Sequence, residues 1–77
     1  MTLLKAKHKK IYTVLEVSGS DTVSRRLLDL GFVKGTKIYI AGVAPLGGTI
    51  LVSMRGSLVA LREDAASLII IGEDANG

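Results

Sequence analysis

The chain has 77 residues with 10 Lys or Arg against 7 Asp or Glu, which gives a net charge of +3, and it contains one histidine and no cysteine. This length allows one domain, and 48% apolar residues exclude the composition that keeps a chain disordered. The lack of cysteine excludes disulfides, thiolate metal sites and cysteine nucleophiles, and it fits a reducing compartment.

A cluster of lysines precedes the first predicted strand. Lys5, Lys7, Lys9 and Lys10 flank His8 within six positions. Such a cluster suits nucleic acid, an acidic protein surface or anionic lipid, but we favour a solvated strand edge on which lysines prevent unwanted pairing. We also favour a solvated His8 over a metal ligand, because the neighbouring lysines would repel a cation.

The first strand and one amphipathic helix come next. Residues 11–17 are rich in β-branched and aromatic side chains and end in the turn residues 18–20, which predicts a strand. Asp21 is a suitable N-cap for the helix that follows, and Gly31 ends it. The apolar face of this helix carries Val23, Leu27 and Leu30. The opposite face carries Arg25, Arg26 and Asp29.

Four further strands are predicted after the helix and the turn at 33–35. Their ranges are residues 36–44, 49–55, 57–62 and 68–71. Gly42 marks a bulge or a corner, Arg55-Gly56 is a hairpin turn, and residues 63–67 allow one helical turn at most. Residues 73–77 are expected to be a frayed tail. Five short strands sealed by one helix predict an all-β fold, a small β-barrel that forms a single domain over residues 1–77.

Few side chains suit catalysis or metal binding. The chain has one histidine, and no recognisable motif places a base near any of its hydroxyl side chains. A nucleophilic triad is therefore not indicated. The glycines at 42, 47 and 48 lack the lysine and the long helix of a phosphate loop. Glu63 and Asp64 are adjacent and therefore diverge. We predict that the chain is not an enzyme and has no cofactor and no metal site.

The aromatic residues and one loop leucine bear on binding. Tyr12, Phe32 and Tyr39 would make a thin stacking platform for nucleic acid, and we expect the tyrosines to be buried or half-buried in strands and Phe32 to pack beside Gly31. Leu46 lies in a loop between Pro45 and Gly47. Projection as an apolar contact for a partner and folding back onto the barrel are both open.

Three segments of the chain resemble the FeoA family of bacterial ferrous iron transport accessory proteins. They are residues 26–35 (RLLDLGFVKG), 44–47 (APLG) and 55–62 (RGSLVALR). The resemblance covers nearly the whole chain and implies an SH3-like barrel with a role beside FeoB, a membrane iron transporter that has a cytosolic GTP-binding domain.

The chain departs from the family pattern at two places. Family members often have Thr-Pro-Gly where this chain has residues 33–35, and Asp-Pro where it has Gly48-Thr49; the second difference removes a carboxylate and weakens a metal-binding interpretation of the loop. Similar domains also occur at the end of metal-dependent transcriptional repressors. This chain lacks the DNA-binding helix-turn-helix of those proteins, so the resemblance implies a free-standing domain.

We therefore expect a cytoplasmic protein that binds the cytosolic part of FeoB and modulates iron uptake without inserting into the membrane. The expected partner-binding residues are Arg25, Arg26, Asp29, Ala44, Pro45, Leu46 and Gly47. Gly31, Gly35 and Gly56 are expected to be structural. The alternative is a nucleic-acid-binding barrel that uses the N-terminal lysines with Arg25 and Arg26.

Overall fold

The chain folds into one five-stranded antiparallel sheet with a helix packed on it. A computed structural model describes residues 1–44 and 47–74. The elements in chain order are a 3-10 turn (Leu3–Lys5), β1 (Ile11–Val17), α1 (Thr22–Leu30), β2 (Lys37–Val43), β3 (Thr49–Met54), β4 (Ser57–Arg62), α2 (Glu63–Ala66) and β5 (Ile69–Glu73). The strand order is β4-β3-β2-β1-β5. No helix within the described ranges is long and apolar enough to cross a membrane.

Most of the predicted elements are confirmed. The bounds of β1 and β4 match the prediction, and those of β2 and β3 differ from it by one residue or less at each end. β3 alternates as its sequence predicts, with Ile50, Val52 and Met54 buried. The register between β2 and β3 shifts between Ile40 and Gly42, which is the predicted bulge.

The predicted start of a frayed tail at residue 73 is wrong. Glu73 belongs to β5, where it lies opposite Tyr12 of β1, and its carboxylate accepts a hydrogen bond from Lys10. Asp74 lies 3.7 Å from the ammonium of Lys37. β5 continues beyond its apolar run because its last residues pair with β1, whose residues lie about sixty positions earlier in the chain.

The ends of α1 follow its capping residues. The Asp21 carboxylate accepts a hydrogen bond from the backbone N–H of Ser24 at 3.0 Å, which satisfies one of the free donors of the first turn. Gly31 follows the helix in the left-handed region, with φ 114°.

The predicted apolar face of α1 is only partly buried. Leu27 is buried as predicted, whereas Val23 is 39% exposed and Leu30 47% exposed. Ser24 is buried beside Leu27 because its hydroxyl donates to the Ser18 carbonyl at 2.6 Å. The helix thus covers the barrel with a stripe narrower than its apolar face.

The barrel core is built from one face of each strand, where buried residues alternate with more exposed ones, and from the residue after the helix. Phe32 is fully buried, as predicted. The other fully or nearly fully buried apolar residues include Leu3, Tyr12, Val14, Ile38, Ile40, Val52, Leu61, Ala66, Ile69 and Ile71.

The interpretation of the lysine cluster as a strand edge is wrong. Lys5 lies in the 3-10 turn, and Lys7 and Lys9 lie in the loop between that turn and β1. The strand that follows, β1, is paired on both sides by β2 and β5. These lysines therefore do not protect an edge.

Candidate functional site

A groove of about 240 Å³ lies between α1 and the β4–α2 segment. We call it the helix groove. Its lining residues come from three elements: Val23, Arg26, Leu27 and Leu30 from α1, Ala60, Leu61 and Arg62 from β4, and Asp64 and Ala65 from α2. The floor of the groove is apolar, and its three charged residues, Arg26, Arg62 and Asp64, are exposed.

The helix groove exists because α1 is more apolar than the barrel can cover. Leu27 packs into the core, and Val23 and Leu30 are left on the wall of the groove. β4 contributes Ala60 at the facing position, and this small side chain leaves space that a larger one would fill. A concave apolar surface with half-exposed leucine and valine is suited to receive an apolar side chain of a partner.

The rim of the helix groove has an excess of positive charge. Two arginines, Arg26 and Arg62, and one carboxylate residue, Asp64, line it. No described carboxylate lies within 4.0 Å of either guanidinium, and the Asp64 carboxylate accepts from the backbone N–H of Ala65 at 2.9 Å. Both guanidinium groups are therefore available for an acidic group on a partner.

Of the helix residues predicted to bind a partner, only Arg26 lines this groove. Arg25 and Asp29 are exposed on α1 but do not line it. These two residues are thus placed on the surface next to the groove and are separate from its walls.

The described base of the predicted binding loop lies next to a residue of the same groove. Pro45 and Leu46 lie outside the described residues. At the base of the β2–β3 loop, the Ala44 N–H donates to the Thr49 carbonyl at 2.9 Å and the Gly47 N–H donates to the Ala44 carbonyl at 2.8 Å. Thr49 lies opposite Arg62 in the β3–β4 ladder. The base of the loop and the rim of the helix groove are therefore joined by one cross-strand pair.

Sequence reasoning missed Val23, Leu30, Ala60 and Arg62 as groove residues. Val23 and Leu30 were predicted on the apolar face of the helix, because helical spacing identifies such a face but not how much of it the rest of the chain covers. Arg62 carried no signal except its position at the end of an apolar strand.

A second and larger groove, about 730 Å³, lies on the other flank of α1. We call it the strand groove. Its lining residues are Leu15, Glu16, Val17, Leu28, Phe32, Val33, Lys34 and Ile70. The register between β1 and β5 shifts between Val14 and Glu16, so Leu15 is an extra residue in β1 and stands exposed. One acidic and one basic residue line it, so the strand groove has no excess charge.

The three glycines expected to be structural all lie at positive φ. Gly31 follows α1 at 114°, Gly35 has φ 93° in the turn before β2, and Gly56 has φ 79° in the β3–β4 hairpin. Arg55, the other central residue of that hairpin, has φ 50°. Two consecutive left-handed residues are typical of a type I′ turn.

The described residues contain no group of three His, Cys, Asp or Glu side chains that could hold a metal ion. The aromatic residues are equally limited as a stacking surface. Tyr12 and Phe32 are buried, and Tyr39 is 39% exposed on β2. The predicted burial is thus confirmed for Tyr12, whereas Tyr39 is exposed.

Comparison with known proteins assigns the fold and a family. The family model of the FeoA domain matches residues 1–72. A solution structure of the FeoA protein from Chlorobium tepidum is 35% identical, with a TM-score of 0.87 over 100% of this chain and 73% of that one. No curated protein matches the chain.

Two other solved structures define the range of the similarity. FeoA of Stenotrophomonas maltophilia in complex with zinc, described as a unique prokaryotic SH3 domain protein, is 30% identical, with a TM-score of 0.83 over 94% of this chain and 89% of that one. A manganese-dependent transcriptional repressor is 21% identical, with a TM-score of 0.78 over 90% of this chain and 39% of that one, and is alike in fold alone. The predicted all-β, SH3-like barrel is confirmed.

Proposed function

Because this chain belongs to the FeoA family, we propose that it is a cytoplasmic accessory protein of ferrous iron uptake that binds the cytosolic part of the FeoB transporter and modulates transport. The S. maltophilia relative is described as a candidate ferrous iron transport activating factor. The match over nearly the whole chain is the observation that carries the proposal.

The helix groove supports a binding role for the domain. Val23 and Leu30 leave an apolar wall uncovered, and the guanidinium groups of Arg26 and Arg62 have no carboxylate within ion-pair distance among the described residues. A partner segment that inserts one apolar side chain beside an acidic one would satisfy both features. Burial of one leucine-sized side chain contributes about 1.5–3 kcal/mol, enough to change affinity by about one to two orders of magnitude.

The alternative role, nucleic-acid binding, has less support from the surface. Of the three aromatic residues, only Tyr39 is exposed enough to stack on a base. Lysines alone attach a protein to phosphates without positioning bases. A probe of duplex or single-stranded nucleic acid, tested at two salt concentrations, separates this alternative from partner binding.

The test is capture of the transporter's purified cytosolic domain by the purified chain, with two variants of α1. Leu30→Glu places a charge in the helix groove, and Leu28→Glu places the same charge in the strand groove. The two leucines are matched, since they are 47% and 45% exposed on one helix. We expect wild type and Leu28→Glu to capture the domain and Leu30→Glu to bind about 10- to 100-fold more weakly.

Other outcomes of the same test are informative. Loss of capture by Leu28→Glu alone would move the interface to the strand groove, and no capture by the wild-type chain would contradict the proposal. Leu46→Glu tests the loop: if this variant retains its melting temperature, captures the domain and restores iron uptake to a strain lacking the native protein, the loop is not part of the interface.

A further inference from the structure

The positive charge of the molecule is concentrated in one segment. Residues 1–10 contain four lysines and no Asp or Glu, whereas the rest of the chain contains six Lys or Arg and seven Asp or Glu. We call residues 5–10 the basic loop. The net positive charge of the whole protein therefore comes from this segment, which neither the helix groove nor the strand groove includes.

The basic loop has a defined conformation. The backbone N–H of Lys7 donates to the hydroxyl of Tyr12 at 2.9 Å, and Tyr12 is itself buried in the barrel. The backbone N–H of Lys9 donates to the Ile40 carbonyl at 2.7 Å, with Lys9 in the left-handed region at φ 59°. The loop is thus attached to β1 and β2, and its lysines are carried at fixed positions of the backbone.

Only part of the positive charge in this region is neutralised. Lys10 is paired with Glu73 at 2.5 Å, and Lys37 lies 3.7 Å from Asp74. The hydrogen bond from Lys10 lowers the pKa of Glu73, and the nearby charges of Lys10 and Lys7 lower it further. Lys5, Lys7 and Lys9 are exposed, and within residues 1–44 and 47–74 no carboxylate lies within 4.0 Å of their ammonium groups.

The composition of this surface favours one kind of partner. Its free charges are all lysines, which act as point charges and lack the planar fork that recognises bases or single phosphates. Of the two aromatic rings near it, Tyr12 is buried, and Tyr39, which lines a small pocket with Lys9 and Lys10, is a single exposed ring and makes no stacking platform. Two exposed apolar side chains, Met1 and Leu4, precede the lysines in the chain. Clustered lysines that follow exposed apolar residues in the chain fit a diffuse anionic surface with an apolar interior.

We propose that the basic loop binds the anionic surface of a phospholipid bilayer peripherally, through Lys5, Lys7 and Lys9. Each lysine near such a surface strengthens binding by about fivefold, so three contribute about 100-fold. Binding of this size is reversible and falls with salt, because the Debye length is about 8 Å at physiological ionic strength. This inference concerns a different surface from the proposed transporter interface and does not depend on it.

The experiment is co-sedimentation of the purified chain with two kinds of vesicle, phosphatidylcholine alone and phosphatidylcholine mixed with phosphatidylglycerol. The test variant is Lys5→Gln/Lys7→Gln/Lys9→Gln. The control variant, Arg25→Gln/Arg26→Gln/Lys34→Gln, loses the same charge from other exposed positions. Circular dichroism spectra and melting temperatures establish that both variants are folded.

We expect the wild-type chain and the control variant to sediment with the anionic vesicles and to be released by high salt. We expect the lysine variant to bind about 100-fold more weakly, and no protein to sediment with phosphatidylcholine alone. Equal binding by both variants, binding to the uncharged vesicles, or no binding by the wild-type chain would overturn the proposal. If duplex DNA displaced the chain from the anionic vesicles at a phosphate concentration lower than that of the anionic lipid, the loop would be assigned to nucleic acid.

Discussion

Gly31 and Met54 approach so closely that a Cβ atom on Gly31 would lie 2.8 Å from the Met54 Cε. Gly31 ends α1 and Met54 ends β3, so this contact is where the helix C-terminus meets the barrel. Gly35, in contrast, has no heavy atom within 4 Å of the place where its Cβ would be. The two glycines share a positive φ but differ in the space around them.

We predict that Gly31→Ala destabilises the domain more than Gly35→Ala. Both substitutions put a side chain at positive φ, which costs about 1–3 kcal/mol, and only Gly31→Ala also forces Met54 to move. Thermal melts measure the difference, at about 4–8 °C per kcal/mol for a domain of this size. In a Met54→Ala background the difference should shrink; equal melting temperatures for the two single variants would contradict the contact.

A second prediction concerns acid stability through Asp21. Its hydrogen bonds with Ser24 lower the pKa of the Asp21 carboxyl, because they favour the ionised form. A lowered native pKa means that the stabilisation is fully present above the unfolded-state value, about 3.9, and is lost as the pH falls through the native value.

The measurement is the free energy of unfolding of wild type and Asp21→Asn between about pH 2 and pH 7. This range includes the unfolded-state pKa of aspartate, about 3.9. Asparagine can still cap the helix but does not titrate in this range. We expect the stability of wild type to fall more steeply in acid than that of Asp21→Asn. Parallel curves would show that Asp21 does not contribute to the pH dependence.

A third prediction concerns the anchor of the basic loop. Tyr12→Phe removes the acceptor for the Lys7 N–H and should lower stability by about 0.5–1.5 kcal/mol, the usual net contribution of one hydrogen bond. The matched control is Tyr39→Phe, since the Tyr39 hydroxyl makes no hydrogen bond with the described residues. Urea unfolding measures stability, and amide exchange should speed up at Lys7 in Tyr12→Phe only. If the Lys7 amide exchanged at the same rate in both variants, the Tyr12 hydroxyl would not be what holds the basic loop.

The sequence predicts the parts of this fold that depend on neighbouring residues. The strand at 11–17, the helix with its Asp21 and Gly31 caps, and the alternation of β3 all follow from local patterns, and the structure has them. The 3-10 turn at Leu3–Lys5 was missed because three residues carry no periodicity. The extent of β5 was missed because its last residues are held by β1, a partner distant in sequence.

The candidate site was less predictable than the fold. Arg26 was chosen for its charge on the outer helix face, and the structure places it on the wall of the helix groove. Leu30 was predicted on the apolar face of the helix, but spacing along a helix cannot show where the barrel surface ends. Exposure of an apolar side chain is a property of the packed chain, and no local pattern reports it.

The strand order carries a consequence for how the domain folds. β2, β3 and β4 are joined by short hairpins, whereas β1 and β5 pair residues whose numbers differ by 52 to 61. Contacts between distant residues form slowly, since the chain must close a long loop before they gain anything. We therefore expect the β2–β4 meander to form early and the β1–β5 ladder to set the folding rate, so that during synthesis the barrel stays open until β5 has left the ribosome.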